Sequence, residues 1–280
     1  MLKPPNRECW EAIADDFLNL WNCPNCIGAM DGKHIAIKAP LNSGSYFYNY
    51  KHFFSIVLFA TCDAKYRFVL VDVGDSGRHS DGGVFSNSKL GQMFHSNSLN
   101  LPPPRALPRT NVVVPMFFVA DDAFPLKSGI MKPYPGRILP ISKQIYNYRL
   151  SRARIIIENT FGLLCSRWRI FYSFINCHPE LAECIVQACI VLHNYLQIAN
   201  EQYPLEQRQY CTPSDVDRFN SDGALLEGSW REELRSCNVN LHPIPHLGSN
   251  FYSRDASFIR DKLMDYFNGV GAVTWQWHRF

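Results

Sequence analysis

The chain has 280 residues, of which 46% are hydrophobic, 14% aromatic and 19% charged, a folded composition that excludes a disordered or coiled-coil chain. Its 28 Lys and Arg against 25 Asp and Glu leave a net charge of +3, too little for a polybasic nucleic-acid binder. Any positive surface for nucleic acid must therefore be local. No window holds the roughly 18 consecutive apolar residues of a membrane span, and the start MLKPPNRECWEAIADD lacks the apolar core of a signal peptide. A soluble, intracellular protein with no membrane association is expected. The ten cysteines are scattered, several inside apolar runs, which is the usage of small buried hydrophobes in a reducing compartment.

Residues 6–20 carry Trp10, Ile13, Phe17 and Leu20 at helical spacing and predict a short amphipathic helix packed on the body. The stretch 27–40 alternates Ile35 and Ile37 with His34, Ala36 and Lys38 and predicts a strand holding Asp31, with Gly32 a candidate bulge. Two β-branched and aromatic runs, 53–63 and 66–74, flank Ala64 and Lys65 and predict a hairpin that completes a three-stranded meander. Residues 80–94 predict a helix, 101–109 an extended proline-rich connection, and 114–122 a buried parallel strand ending in Asp121 and Asp122.

From Tyr146 to Trp168 the period becomes helical, and a second helix over 179–199 is apolar almost all round, so burial is expected. Beyond residue 200 the chain turns polar before helical periodicity returns at 258–267. The order β-β-β-α-β followed by helices predicts an α/β fold with a mixed sheet layered by helices. Three units follow: an N-terminal helix over 1–23, a main domain over 24–200 and a polar C-terminal segment with a last helix over 201–280.

Three acids stand out from this topology. A fourth strand parallel to the first would make Asp31 and Asp121 neighbours, and Glu158 is the one acid between Tyr146 and Trp168, on a helix with Arg149, Arg152, Arg154 and Arg167. Carboxylates sharing a cleft repel one another unless neutralised, and a hard divalent cation such as Mg²⁺ or Mn²⁺ does that while supporting in-line phosphodiester displacement. The arginines would suit approaching phosphates. Spacing alone leaves the plainer readings standing: a turn at Asp31-Gly32, a cap at Asp121, and a salt-bridge partner in Glu158.

The segments IGAMDGKHI, VADDAFPL, YNYRLSRARIIIENTFGLL, SRWRIF and VLHNYL, with GRHSDGGVFSNSKLG at 77–91 and YFNGVGAVTWQW at 266–277, closely resemble the DDE endonuclease domain of PIF/Harbinger-type transposases and their domesticated nucleases. The resemblance implies an RNase H-like fold and a metal-dependent DNA endonuclease, with strand transfer in an intact transposase. It implies a catalytic, metal-binding triad of Asp31, Asp121 and Glu158, with Asp122 the alternative to Asp121, and Mg²⁺ or Mn²⁺ as cofactor. Lys33, Lys51, Arg149, Arg152 and Arg154 are the expected DNA contacts. Lys51 follows Asn49 and Tyr50 where the family often shows Asn-Arg-Lys. The implied partners are DNA and a separate Myb-like DNA-binding protein, with homo-oligomerisation open, and the implied location is the nucleus, with the cytoplasm open. The competing reading is a catalytically inactive domesticated scaffold that binds DNA or a partner protein.

Cys23-Pro-Asn-Cys26 has the spacing of half a zinc site or a redox pair, but lacks a second pair nearby and reads as a structural loop. His193 and Asn194 read as a hydrogen-bonded pair fixing a helix to the sheet. His34, His79 and Asp81 are candidates to support the cleft from behind, against plainer capping and surface roles.

Overall fold

The computed structural model describes residues 3–76, 85, 88–235, 237, 239–244 and 253–279. Helix α1 (Arg7–Trp21) starts at Asn6, whose side chain accepts from the Cys9 N–H, and ends at Asn22 in the left-handed region. Its Trp10, Ile13 and Phe17 enter the core, where Trp10 meets Phe118 edge to face, while Leu20 stays exposed.

Strand β1 (Cys26–Ala36) is the spine of the sheet. It pairs antiparallel with β2 (Ser55–Cys62), which pairs antiparallel with β3 (Phe68–Ser76). The hairpin turn spans 63–67, because Asp63 accepts from the Lys65 and Arg67 N–H groups and pairs with the Arg67 guanidinium. Gly32 lies in regular register with Phe59, and the irregularity in β1 falls instead between Cys26 and Gly28.

Of the expected 80–94 helix, residues 80–84, 86 and 87 lie outside the described residues, as do His79 and Asp81. Helix α2 runs over Lys89–His95 from a Ser88 cap. The proline-rich stretch contains β4 (Arg105–Ala106), paired with β5 (Val113–Val114). Strand β6 (Phe117–Val119) pairs parallel with β1, and β7 (Ile130–Met131) extends the sheet parallel to β6. The sheet order is β3-β2-β1-β6-β7.

Helix α3 (Ile141–Arg167) crosses this sheet and is buried on most of its circumference. A 3₁₀ turn (Arg169–Tyr172) leads to α4 (Pro179–Glu201). Helix α4 is long and apolar enough to cross a membrane, but His193, Asn194 and Gln197 lock one side of it to β3 and its turn. Contrary to expectation, its other side is open: Leu181, Val191, Leu192, Tyr195 and Ile198 are exposed, because the sheet covers it from one direction only.

After α4, a short hairpin of β8 (Arg218–Phe219) and β9 (Leu225–Leu226) precedes α5 (Ser229–Arg235). Strand β10 (Leu241–Pro243) returns to pair antiparallel with β1 at Lys33–Ile35. Helix α6 (Arg254–Asn268) packs on α3. One apolar core runs from Trp10 to Phe267, so α1 and α6 belong to the same body as the sheet. The result is a mixed sheet flanked by helices, of RNase H-like type.

Candidate active site

Two neighbours share one edge of β1. Strand β6 pairs with it through Ala29, and β10 takes over from Lys33. Between them Met30, Asp31 and Gly32 pair with β2 on the other edge. The chain leaves β6 at this fork, so Asp121 comes out beside Asp31. Helix α3 passes over the same place and contributes Glu158. Asp31, Asp121 and Glu158 line one cleft of about 390 Å³, with Lys33, Asp122, Pro133, Arg154, Pro243 and Ile244.

Each acid in the cleft is held. The Asp31 carboxylate lies 2.6 Å from the Lys33 ammonium and also accepts from the Gly32 N–H at 2.8 Å. Residues 31 and 33 share a strand face by alternation, and Lys33 also lies 5.5 Å from the Phe161 ring centroid, one turn beyond Glu158 on α3. Burial works against the Lys33 charge, but the attraction and hydrogen bond of Asp31 outweigh it and raise its pKa. Asp121 Oδ1 accepts from the Ala123 N–H at 3.0 Å, closing the turn after β6. Lys132 donates to the Asp122 carbonyl at 3.0 Å, its pKa lowered by burial.

Glu158 is gripped from two sides, by Arg154 at 2.7 Å one turn earlier and by Arg231 of α5 at 3.7 Å. Arg231 is itself fixed, since its guanidinium binds both oxygens of the fully buried Asp217 carboxylate. Asn159 completes the clamp: its amide brackets the Asp217 backbone, and its oxygen also accepts from the Trp230 indole N–H. A side chain at Gly162 would overlap the Trp230 ring, so glycine in mid-helix is what lets α5 close on α3.

The expected DNA contacts separate. Lys33 and Arg154 line the cleft, whereas Arg149 and Arg152 do not. Arg149 is buried, and donates to the carbonyls of Gly271 and Asn22 and to Gln276 Oε1, which fastens the C-terminal turn. Burial lowers its pKa to about 10, so it stays charged at neutral pH. Arg152 lies between the rings of Phe219 and Trp275 at 3.9 and 3.8 Å. Lys51 is exposed in the β1–β2 loop beside Tyr50, outside the cleft.

His34 points to the opposite strand face from Asp31, 3.1 Å from Ser55 Oγ and against Phe53, and burial lowers its pKa to about 4. It is not among the residues lining the cleft that it was one candidate to support. His193 and Asn194 fasten α4: His193 Nε2 donates to the Tyr66 carbonyl at 2.8 Å, and Asn194 brackets the Phe68 backbone. Cys23 and Cys26 are both buried and free, at the start of β1.

In kind, the donor set suits a hard divalent cation: carboxylate oxygens line the cleft and neither thiol nor imidazole does. Among the described residues no three His, Cys, Asp or Glu side chains stand together as a ready ligand group. Lys33 and Arg154 neutralise Asp31 and Glu158 instead.

The fold and cleft define an RNase H-like domain with acids within the central strand, just after its parallel neighbour and on the covering helix. The sequence profile of the DDE superfamily endonucleases matches residues 30–194, and the chain belongs to that family. It is 28% identical to human "Putative nuclease HARBI1" over 198 residues, covering 68% of this chain and 51% of that protein. It is also 28% identical to "Protein ALP1-like" of Arabidopsis thaliana over 215 residues, covering 74% of this chain and 51% of the relative. The chain thus spans about half the length of the curated relatives it matches. No solved structure matches it significantly.

Proposed function

We propose that the chain is a metal-dependent DNA endonuclease of DDE type, with Asp31, Asp121 and Glu158 as its catalytic carboxylates. The observation that carries this reading is their convergence on one cleft from β1, the end of β6 and α3, in a chain whose family is named for endonuclease action. Bound Mg²⁺ or Mn²⁺ held by these three acids would supply the activated water and neutralise charge on a phosphodiester. The chain's own part is to present hard oxygens from three separate elements and to keep them oriented. The Asp217–Arg231 pair and Arg154 orient Glu158, and β2 pairing fixes the Asp31 backbone. Lys33 and Arg154 are the cations lining the cleft that an entering phosphate would occupy.

Hydrolysis would leave a 3′-hydroxyl, which the same site could use for strand transfer. A nuclear site of action and a Myb-like partner that finds the target belong to the same proposal. Its support is the modest net charge of +3, which leaves little general affinity for DNA.

The test is nicking of supercoiled plasmid by the purified chain in Mg²⁺, in Mn²⁺ and in EDTA, with Asp31→Asn, Asp121→Asn, Asp122→Asn and Glu158→Gln compared. The triad predicts loss of at least about a hundredfold in each variant except Asp122→Asn, and loss in EDTA. Undiminished nicking in Asp31→Asn or Glu158→Gln overturns the triad. An inert wild-type chain supports the scaffold reading instead.

A further inference from the structure

Strand β10 separates two recesses. Pro243 and Ile244 line the acidic cleft, while His242 lines a larger groove of about 990 Å³ on the far side. The floor of this groove is the continuation of β1 over Ala36–Ala39. One wall is the β1–β2 loop with Tyr48, and the other carries Phe174. Asn240 ties these parts together: its side chain donates to the carbonyls of Ala36 and Ser173 and accepts from the Ala36 N–H. The groove is thus a built feature that begins where the cleft ends.

Its chemistry is distinctive in two respects. Aromatic rings are left in solvent: Tyr48 is 39% exposed and Phe174 55%, and Tyr46 and Tyr50 on the same loop are exposed as well. Among the described residues no Asp or Glu lines the groove, and the acid it meets at its edge is Glu233, felt by Tyr172. Lys38 and His52 line the groove, and Lys51 lies beside it in the same loop. Exposed rings, interleaved with cations and with no carboxylate among the lining side chains, are what a nucleobase needs to stack while its phosphates are neutralised. A duplex hides its base faces inside the helix, so the rings have nothing to offer it. An unpaired strand presents them.

We propose that this groove binds single-stranded DNA, holding the unpaired strand next to the phosphate in the acidic cleft. The proposal rests on the reading of that cleft as a DNA nuclease site for the direction of the strand, but not for the affinity itself.

The test is fluorescence anisotropy with the full chain in EDTA, using a labelled oligothymidylate of about 20 nucleotides and a hairpin duplex of matching length. Expected are tighter binding of the single strand and a loss of about fivefold or more in that affinity for Tyr48→Ala and for Phe174→Ala, with duplex affinity unmoved. Tyr48→Phe should retain wild-type affinity, because it keeps the ring. Both alanine sites are exposed, and unchanged melting curves verify the fold. Equal or tighter duplex binding, absence of oligonucleotide binding, or single-strand affinity indifferent to both alanine variants overturns the proposal, as does tighter binding of oligouridylate. Because the assay reads affinity without metal, it stays informative if the plasmid-nicking test fails, and the nicking test stays informative if this one fails.

Discussion

Lys33 and Asp31 form an ion pair at 2.6 Å on one face of β1, both largely buried. The lysine therefore stands where a divalent cation would be wanted, neutralising the acid that β1 presents to the cleft. Replacing Lys33 with Met leaves Asp31 with an uncompensated charge and should lower stability by about 1–3 kcal/mol in EDTA. Added Mn²⁺ should recover more of that loss in the variant than it adds to the wild type. Urea unfolding with and without Mn²⁺ measures both. A variant as stable as wild type in EDTA would show that the pair carries little energy.

Glycine at 162 has a cost in mid-helix of up to about 1 kcal/mol against alanine, so an ordinary exposed site would gain stability from Gly162→Ala. Here the added methyl overlaps Trp230. The expected result is a net loss of about 1–3 kcal/mol together with a change in tryptophan fluorescence as α5 lifts from α3. The melting temperature decides the sign, and a rise would contradict the close packing.

Two arginines five positions apart on α3 should behave oppositely. Arg149→Ala removes a buried guanidinium that serves three acceptors and should destabilise the fold by about 3 kcal/mol or more. Arg154→Ala removes a partly exposed cation in the cleft. It should leave melting within a few degrees and weaken duplex binding, with the slope of log affinity against log salt reduced by about one. Calorimetry and salt-titrated anisotropy separate the two roles.

His34 and His193 are buried, and each has its pKa lowered from 6.5 to about 4, chiefly by burial. Between pH 6.5 and 4 the unfolded chain binds protons that the folded chain refuses, so stability must fall as pH falls through that window. The loss is up to about 3 kcal/mol for each histidine, and above pH 7 neither contributes a slope. Urea midpoints at pH 7, 5.5 and 4.5 should decline, and His193→Gln should flatten the decline. A pH-independent midpoint for the wild type would exclude protonation-linked unfolding at these sites.

The elements that hold the cleft were readable because each has a strong local period: alternation in β1, an apolar run in β6, and helical spacing in α3. Those periods placed Asp31 on β1 and Glu158 on α3, but the expected strand over 114–122 divides around Pro115 into β5 and β6 and stops at Val119, leaving Asp121 in the turn that follows. They could not say which arginines of α3 reach the cleft, since that helix is buried on most sides and its pattern marks no single outer face. The exposure of Leu181 and Tyr195 on α4 was hidden for a related reason: an apolar helix shows in sequence that it could be covered all round, not how many layers exist to cover it. Arg231 and Pro243 gave no signal at all. Leu241-His242-Pro243 is too short to read as a strand, and Arg231 lies 73 positions after the Glu158 it reaches.

The fork in β1 sets the order in which the cleft can be assembled. Its floor is made by strands consecutive in sequence, since β1, β2 and β3 follow one another along the chain and can pair early. Its outer wall is closed by β10, some two hundred residues downstream of its β1 partners. Bringing such distant segments together means ordering a very long loop, so this contact has high contact order and should form late. A chain emerging during synthesis would carry the buried strands of β1, β2 and β3 well before residues 241–243 could complete the wall of the cleft.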